Sequence, residues 1–181
     1  GIVAKRNFYR NSANVPLIIS GAPLRNTAST DDRVACLEDV MPTLLSACGI
    51  AVPSSVDGKD LLNGEKRKVL YGEVCEGAMA TRMVTDGRYK LIYYPYGNVV
   101  QLFDIANDPD ETRNLVSSSQ AKDDLDRLTN HLISNLYGGD EKWTANGKLV
   151  GEPIGTYPDP STDYGLYNQR GGHWPTPSAG A

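Results

Sequence analysis

The sequence predicts an α+β fold in which a small antiparallel sheet of about four strands is packed by a long amphipathic helix. Two observations carry this expectation. Four short strand-like runs lie between residues 69 and 103, joined by turns too short for parallel crossovers. A stripe of apolar residues with helical period then follows at Ala121, Leu125, Leu128, Leu132 and Leu136. A helix and a sheet that each carry an apolar face bury them against one another.

Taken in order, Val15-Pro16-Leu17-Ile18-Ile19 is an apolar run bounded by Asn14 and Ser20-Gly21, which suits a buried strand with Pro16 at its start or at an edge. Residues 21–32 are polar and turn-rich and read as a loop. Residues 38–48 read as a helix with Val40, Leu44, Leu45 and Cys48 on one side. Asp39 is the expected N-cap, Pro42 fits the first turn, and Gly49 fits the position after the C-cap. Strands follow at 69–74, 83–85, 89–94 and 99–103. Asp86-Gly87 is a hairpin signal between the second and third, and Tyr96-Gly97-Asn98 turns the chain into the fourth. A helix is expected over 118–137, ended by Gly138-Gly139. The remaining residues, 139–181, hold five of the eleven prolines and read as an irregular tail. The domain division this implies is 1–66, 67–138 and 139–181.

Bulk properties exclude several classes. The 181 residues allow one compact domain or two small ones. A net charge of −4 argues against nucleic-acid binding, which needs a basic surface. The apolar runs stay far below membrane-spanning length. Gly1-Ile2-Val3-Ala4-Lys5 lacks both an initiator Met and the order of a signal peptide, so the chain reads as an excised segment. Cys36, Cys48 and Cys75 have no CxxC spacing and suggest neither a zinc site nor a disulfide framework.

Three segments, in order, resemble sulfatase sequence. The first is Lys5-Arg6-Asn7-Phe8-Tyr9 followed by Val15-Pro16-Leu17-Ile18, similar to the family's Lys-x-x-x-Tyr-Glu before a Val-Pro-Leu-Ile strand, with Arg10 where Glu is usual. The second is Asp39-Val40-Met41-Pro42-Thr43-Leu44-Leu45 with Cys48-Gly49-Ile50 and Asp57-Gly58. The third joins Asp86-Gly87-Arg88-Tyr89-Lys90-Leu91 to Leu102-Phe103-Asp104, Asn107-Asp108-Pro109, Glu111 and Asn114-Leu115. Gln169-Arg170-Gly171 and His173-Trp174-Pro175 are similar to some bacterial sulfatase tails.

The resemblance implies the C-terminal portion of a sulfatase of the alkaline-phosphatase-like superfamily, preceded by a strand and helix from its large α/β domain. It also implies a sulfate ester substrate, aryl or sugar sulfate, and a divalent metal, usually Ca²⁺. The nucleophile implied is a formylglycine made within a Cys/Ser-x-Pro/Ala-x-Arg motif. That motif is absent: Cys36 precedes Leu37-Glu38-Asp39-Val40, Cys48 precedes Gly49-Ile50-Ala51-Val52, and Cys75 precedes Glu76-Gly77-Ala78-Met79. No cofactor is therefore expected on this chain, which is expected to be inactive alone and to need an N-terminal catalytic domain as partner. Left without sheet neighbours, the 15–19 strand would pair with the tail or within a homodimer. A phosphonate or phosphate monoester hydrolase fragment and a stand-alone carbohydrate-binding or interaction module remain alternatives.

By resemblance Lys5 contacts the substrate sulfate, where a fixed ammonium would stabilise developing negative charge. His173 and Trp174 are weaker candidates for the rim of a substrate pocket, a surface histidine beside a packing tryptophan being the plainer reading. His131 falls on the polar side of the long helix. The Asn107, Asp108, Asp110, Glu111 group reads as a turn-forming connection rather than a metal loop, and alternation places Tyr89 and Tyr93 opposite Tyr94.

Overall fold

Four strands form an antiparallel meander, β1 (Leu70–Val74), β2 (Thr81–Thr85), β3 (Tyr89–Tyr94) and β4 (Val99–Asp104), in spatial order β1-β2-β3-β4. The computed structural model describes residues 7–21 and 30–153. Ahead of the sheet lie a single helical turn, α1 (Arg10–Ala13), and α2 (Val40–Ala47); behind it lie α3 (Lys122–Asn135) and a small hairpin of β5 (Thr144–Ala145) and β6 (Lys148–Leu149). The expected α+β architecture is the observed one.

The register sorts the strand residues into two faces. Val84 pairs with Leu91, and Leu91 with Leu102. These three, with Tyr93, pack against Ala121, Leu128, Leu132 and Leu136. The leucine stripe of α3 therefore covers the first face, as its spacing predicts. Met83, Ile92 and Phe103 point to the opposite face, where Phe8, Tyr9, Leu70, Tyr94 and Ile105 cover them. Both faces are apolar, so the sheet is a middle layer with a cover on each side.

Local chemistry shapes the connections. Gly87 takes φ +90 at the β2–β3 turn, as a tight hairpin requires. The Asp86 carboxylate accepts from the backbone N–H groups of Arg88 (2.9 Å) and Tyr89 (2.7 Å) and from the Arg127 guanidinium (2.7 Å), tying the turn to α3. After β4, the Leu115 N–H donates to the Leu102 C=O (2.7 Å) and the Leu102 N–H to the Asn114 side chain (3.0 Å). That closes the free edge of β4, an otherwise open template for pairing.

Three expectations are corrected. Residues 15–19 form no strand: among the described residues none of them joins a ladder, and Ile18 is 89% exposed. An apolar run becomes a strand only where a neighbour takes its N–H and C=O groups, and among the described residues none pairs with it. Asp39 does not cap its own helix from the N-cap position. A 3₁₀ turn over Leu37–Asp39 precedes α2, and the Asp39 carboxylate reaches back to the Cys36 N–H at 2.8 Å, the return arm of a capping box.

The third correction concerns residues 140–153, which are ordered rather than irregular. A 3₁₀ turn, Asp140–Trp143, inserts Trp143 into the core at 2% exposure, and β5 and β6 follow. The rest of the expected tail lies outside the described residues. The end of α2 matches expectation: Gly49 has φ +70, and the Ile50 and Gly49 N–H groups bond back to Leu45 (2.9 Å) and Ser46 (3.0 Å), the Schellman pattern.

Leu128 lies at the centre of the helix–sheet contact and is fully buried. Leu128→Asp would bury an unpaired carboxylate there and is expected to cost about 3 kcal/mol or more. Thermal unfolding checks this, and an unchanged melting temperature would count against the assigned packing.

Candidate functional site

The second face of the sheet carries a buried charge. Lys90 lies on β3 in register with Thr85 and Phe103, where an alkyl stem packs well but an ammonium needs partners. It has two. Its Nζ bonds to the Glu111 carboxylate and donates to the Phe8 carbonyl at 2.8 Å. The second oxygen of Glu111 accepts the Arg10 N–H at 2.6 Å. The backbone on either side of Tyr9 is thus held by one ion pair rising from the sheet.

Side chains complete this anchor. The Tyr9 hydroxyl donates to Gln101 Oε1 (2.7 Å), and its ring meets Phe103 edge-on at 5.9 Å. A Cβ at residue 72 would come within 3.0 Å of the Phe8 ring, so glycine there lets the ring lie on β1. Phe8, Asn14, Arg33, Leu70, Lys90 and Glu111 line part of a broad open cleft of about 2060 Å³ beside this segment.

A second buried pair organises the residues before β1. Asp39 is fully buried and accepts from both terminal nitrogens of Arg67, at 2.7 and 2.8 Å. It also accepts the Lys59 N–H (2.7 Å), and Thr43 Oγ1 accepts the Leu61 N–H (2.9 Å). Burial pushes the Asp39 carboxyl upward, but the Arg67 guanidinium and the Lys59 and Cys36 N–H groups outweigh it and hold the pKa at about 2. A third pair joins the buried Arg82 to Asp140, with Nε to Oδ2 at 2.7 Å. The Arg82 guanidinium also sits 5.2 Å from the Trp143 ring.

Lys5, His173 and Trp174 all lie outside the described residues. Among the other residues weighed from sequence, Tyr93 is core on the α3 side, with Tyr89 against the same cluster and Tyr94 on the opposite face. Asp108 holds a turn by accepting from the Arg113 N–H (2.8 Å) and Thr112 Oγ1 (3.0 Å). His131 is half-buried on α3, where its carbonyl accepts from Ser134 Oγ (2.9 Å). Among the described residues, Cys36, Cys48 and Cys75 are free thiols, no three His, Cys, Asp or Glu side chains converge as a metal ligand set, and no helix is long and apolar enough to cross a membrane. The described side chains therefore do not fit a Ca²⁺ site.

Sequence reasoning missed Lys90 as a site element and read Glu111 only as part of a turn. Their pairing joins positions 21 residues apart in the chain and leaves no local pattern.

Comparison with known proteins gives a consistent picture. The model of a family described as N-sulphoglucosamine sulphohydrolase, C-terminal, matches residues 1–137. An arylsulfatase of Clostridium perfringens is 34% identical over 158 residues, covering 82% of this chain and 33% of that protein. A Delta 4,5-hexuronate-2-O-sulfatase of Bacteroides thetaiotaomicron is 35% identical over 122 residues, covering 60% and 25%. The solved structure of a 2-O GAG sulfatase superposes with a TM-score of 0.50 at 26% identity, covering 59% of this chain and 26% of that one. This chain thus spans a third or less of the length of these relatives.

The Asp39–Arg67 pair generates a pH prediction. The folded pKa is depressed from 3.8 to about 2, so the stabilisation is present above about pH 4 and is lost as pH falls through 2. An NMR titration of the Asp39 carboxyl carbon is expected to show a midpoint near 2. A midpoint near 4 would mean that the pair with Arg67 is not formed.

Proposed function

This chain belongs to the sulfatase family as a C-terminal portion, and from that premise we propose that it completes the fold of a sulfate-ester hydrolase and borders its substrate pocket. The observation that carries the reading is the family match across residues 1–137, which takes in Lys5 and the whole sheet. The anchoring of Phe8 and Arg10 by Lys90 and Glu111 supports a working role for the segment that follows Lys5.

In this reading the Lys5 ammonium contacts the sulfate group of an aryl or sugar sulfate. Cleavage of the ester S–O bond leaves negative charge on the departing oxygen and on the sulfuryl oxygens. A fixed cation in a dry site stabilises that charge more in the transition state than in the ground state. His173 and Trp174 would stand at the pocket rim. The formylglycine nucleophile and a divalent metal such as Ca²⁺ would be supplied by an N-terminal catalytic domain, which would also cover the exposed Val15, Leu17 and Ile18. Without that domain, the same residues would favour pairing between two copies of the chain.

The 181-residue chain alone is expected to hydrolyse no aryl sulfate reporter, with or without Ca²⁺. In the full-length enzyme, Lys5→Ala is expected to lower kcat/KM on the order of 100-fold while leaving thermal stability unchanged. Turnover that tracks the isolated chain, or a Lys5→Ala enzyme as active as the parent, would overturn the reading.

A further inference from the structure

A buried ion pair needs further hydrogen bonds for its remaining protons and lone pairs, and where those bonds go decides what the pair holds in place. Lys90 and Glu111 each make a second bond, and both second bonds go to the main chain of the N-terminal segment. Lys90 Nζ donates to the Phe8 C=O at 2.8 Å, and Glu111 Oε2 accepts the Arg10 N–H at 2.6 Å. The side chains of the pair are nearly dry, 9% and 1% exposed, so these charge-assisted bonds are little screened by water. Glu111 also holds φ +55, a left-handed conformation unfavourable for a residue with a Cβ, and such geometry persists only where surroundings enforce it.

We propose that Lys90 and Glu111 are positioning residues that fix the path of the chain at Phe8 and Arg10 and thereby set where Lys5 meets the sulfate. The proposal rests on the role assigned to Lys5 above. Two fixed points on either side of Tyr9 define both the place and the direction of the backbone. Lys5 is three residues upstream of Phe8, and three residues reach at most about 11 Å. What holds Phe8 therefore bounds the reach of the Lys5 ammonium. Because the clamp grips backbone atoms, it does not depend on the side chain at position 10 so long as the residue keeps its N–H; Arg10 is exposed there and stands in place of the Glu usual in the resembling motif.

The test uses the full-length enzyme carrying Lys90→Met together with Glu111→Met, which leaves no side-chain acceptor for the Arg10 N–H. Removing both charges leaves neither buried alone, so the fold is retained while the clamp is lost. The double variant is made with Lys5 present and in a Lys5→Ala background. A misplaced catalytic group costs on the order of 100-fold in kcat/KM, so a loss of that size is expected with Lys5 present. With Lys5→Ala the further loss should be less than about threefold, because residues acting through one another are not additive.

Equal losses in both backgrounds, or no loss with Lys5 present, would overturn the proposal. A second readout judges the clamp itself: tryptic cleavage after Arg10 in the 181-residue chain is expected to speed up about tenfold in the double variant, and an unchanged rate would show that the pair does not hold the segment. A wild-type full-length enzyme without activity on aryl and sugar sulfates would instead refute the sulfatase reading, and with it the role of Lys5, whatever the cleavage rates show.

Discussion

The sheet is apolar on both faces, and this constraint organises everything around it. Its register sends Val84, Leu91, Tyr93 and Leu102 one way and Met83, Ile92 and Phe103 the other. Neither face is left to water, since exposing such an area would cost far more than a domain of this size has in reserve. One cover is local in sequence: α3 follows the sheet and supplies leucines at the right period. The other is remote. Phe8 and Tyr9 come from more than sixty residues upstream of β1. Their contacts with the sheet cross the boundary at 66/67 that a linear reading of the chain suggests.

Remote covers need fasteners, and the structure uses buried ion pairs for this. Lys90–Glu111 fastens the N-terminal segment, Asp39–Arg67 the connection between α2 and β1, and Arg82–Asp140 the turn that delivers Trp143. Desolvation makes such pairs weak net contributors to stability, while breaking one by removing a single partner is costly. Their value lies in direction: each carboxylate or cation also binds backbone or ring atoms of the piece it holds. Of these, the Lys90–Glu111 pair holds Phe8, three residues along the chain from the lysine proposed to contact sulfate.

Elements whose signals are local were legible in the sequence. The four strands, the Asp86-Gly87 hairpin, the Schellman end of α2 and the stripe on α3 each depend on residues within a few positions of one another. The hairpin after Trp143 was missed although it carries a local signal: Asn146-Gly147 is a strong turn pair, and Asn146 (φ +52) and Gly147 (φ +71) both take left-handed conformations. It was obscured by the proline and glycine content around it. Val15–Ile19 shows the opposite failure: the composition of a strand is present, but pairing is a property of neighbours, not of composition. The three ion pairs left no local trace, since burial of Lys90 or Arg82 follows from strand register and from what covers each face. Lys5 is a candidate only through resemblance, and His173 and Trp174 through resemblance and their adjacency in the tail, because one lysine, histidine or tryptophan carries no pattern of its own.

The central claim is that the segment after Lys5 is part of the sheet's packing while the apolar run beyond it is not. Native-state hydrogen exchange on a monomeric sample of the chain tests this directly. The Arg10 amide, held by Glu111, and the Ser12 amide, bonded to the Tyr9 carbonyl at 2.8 Å, are expected to exchange slowly. The Leu17 and Ile18 amides are expected to exchange freely. Arg10 exchanging as fast as Ile18, or Ile18 as protected as Ile92 in β3, would contradict the account.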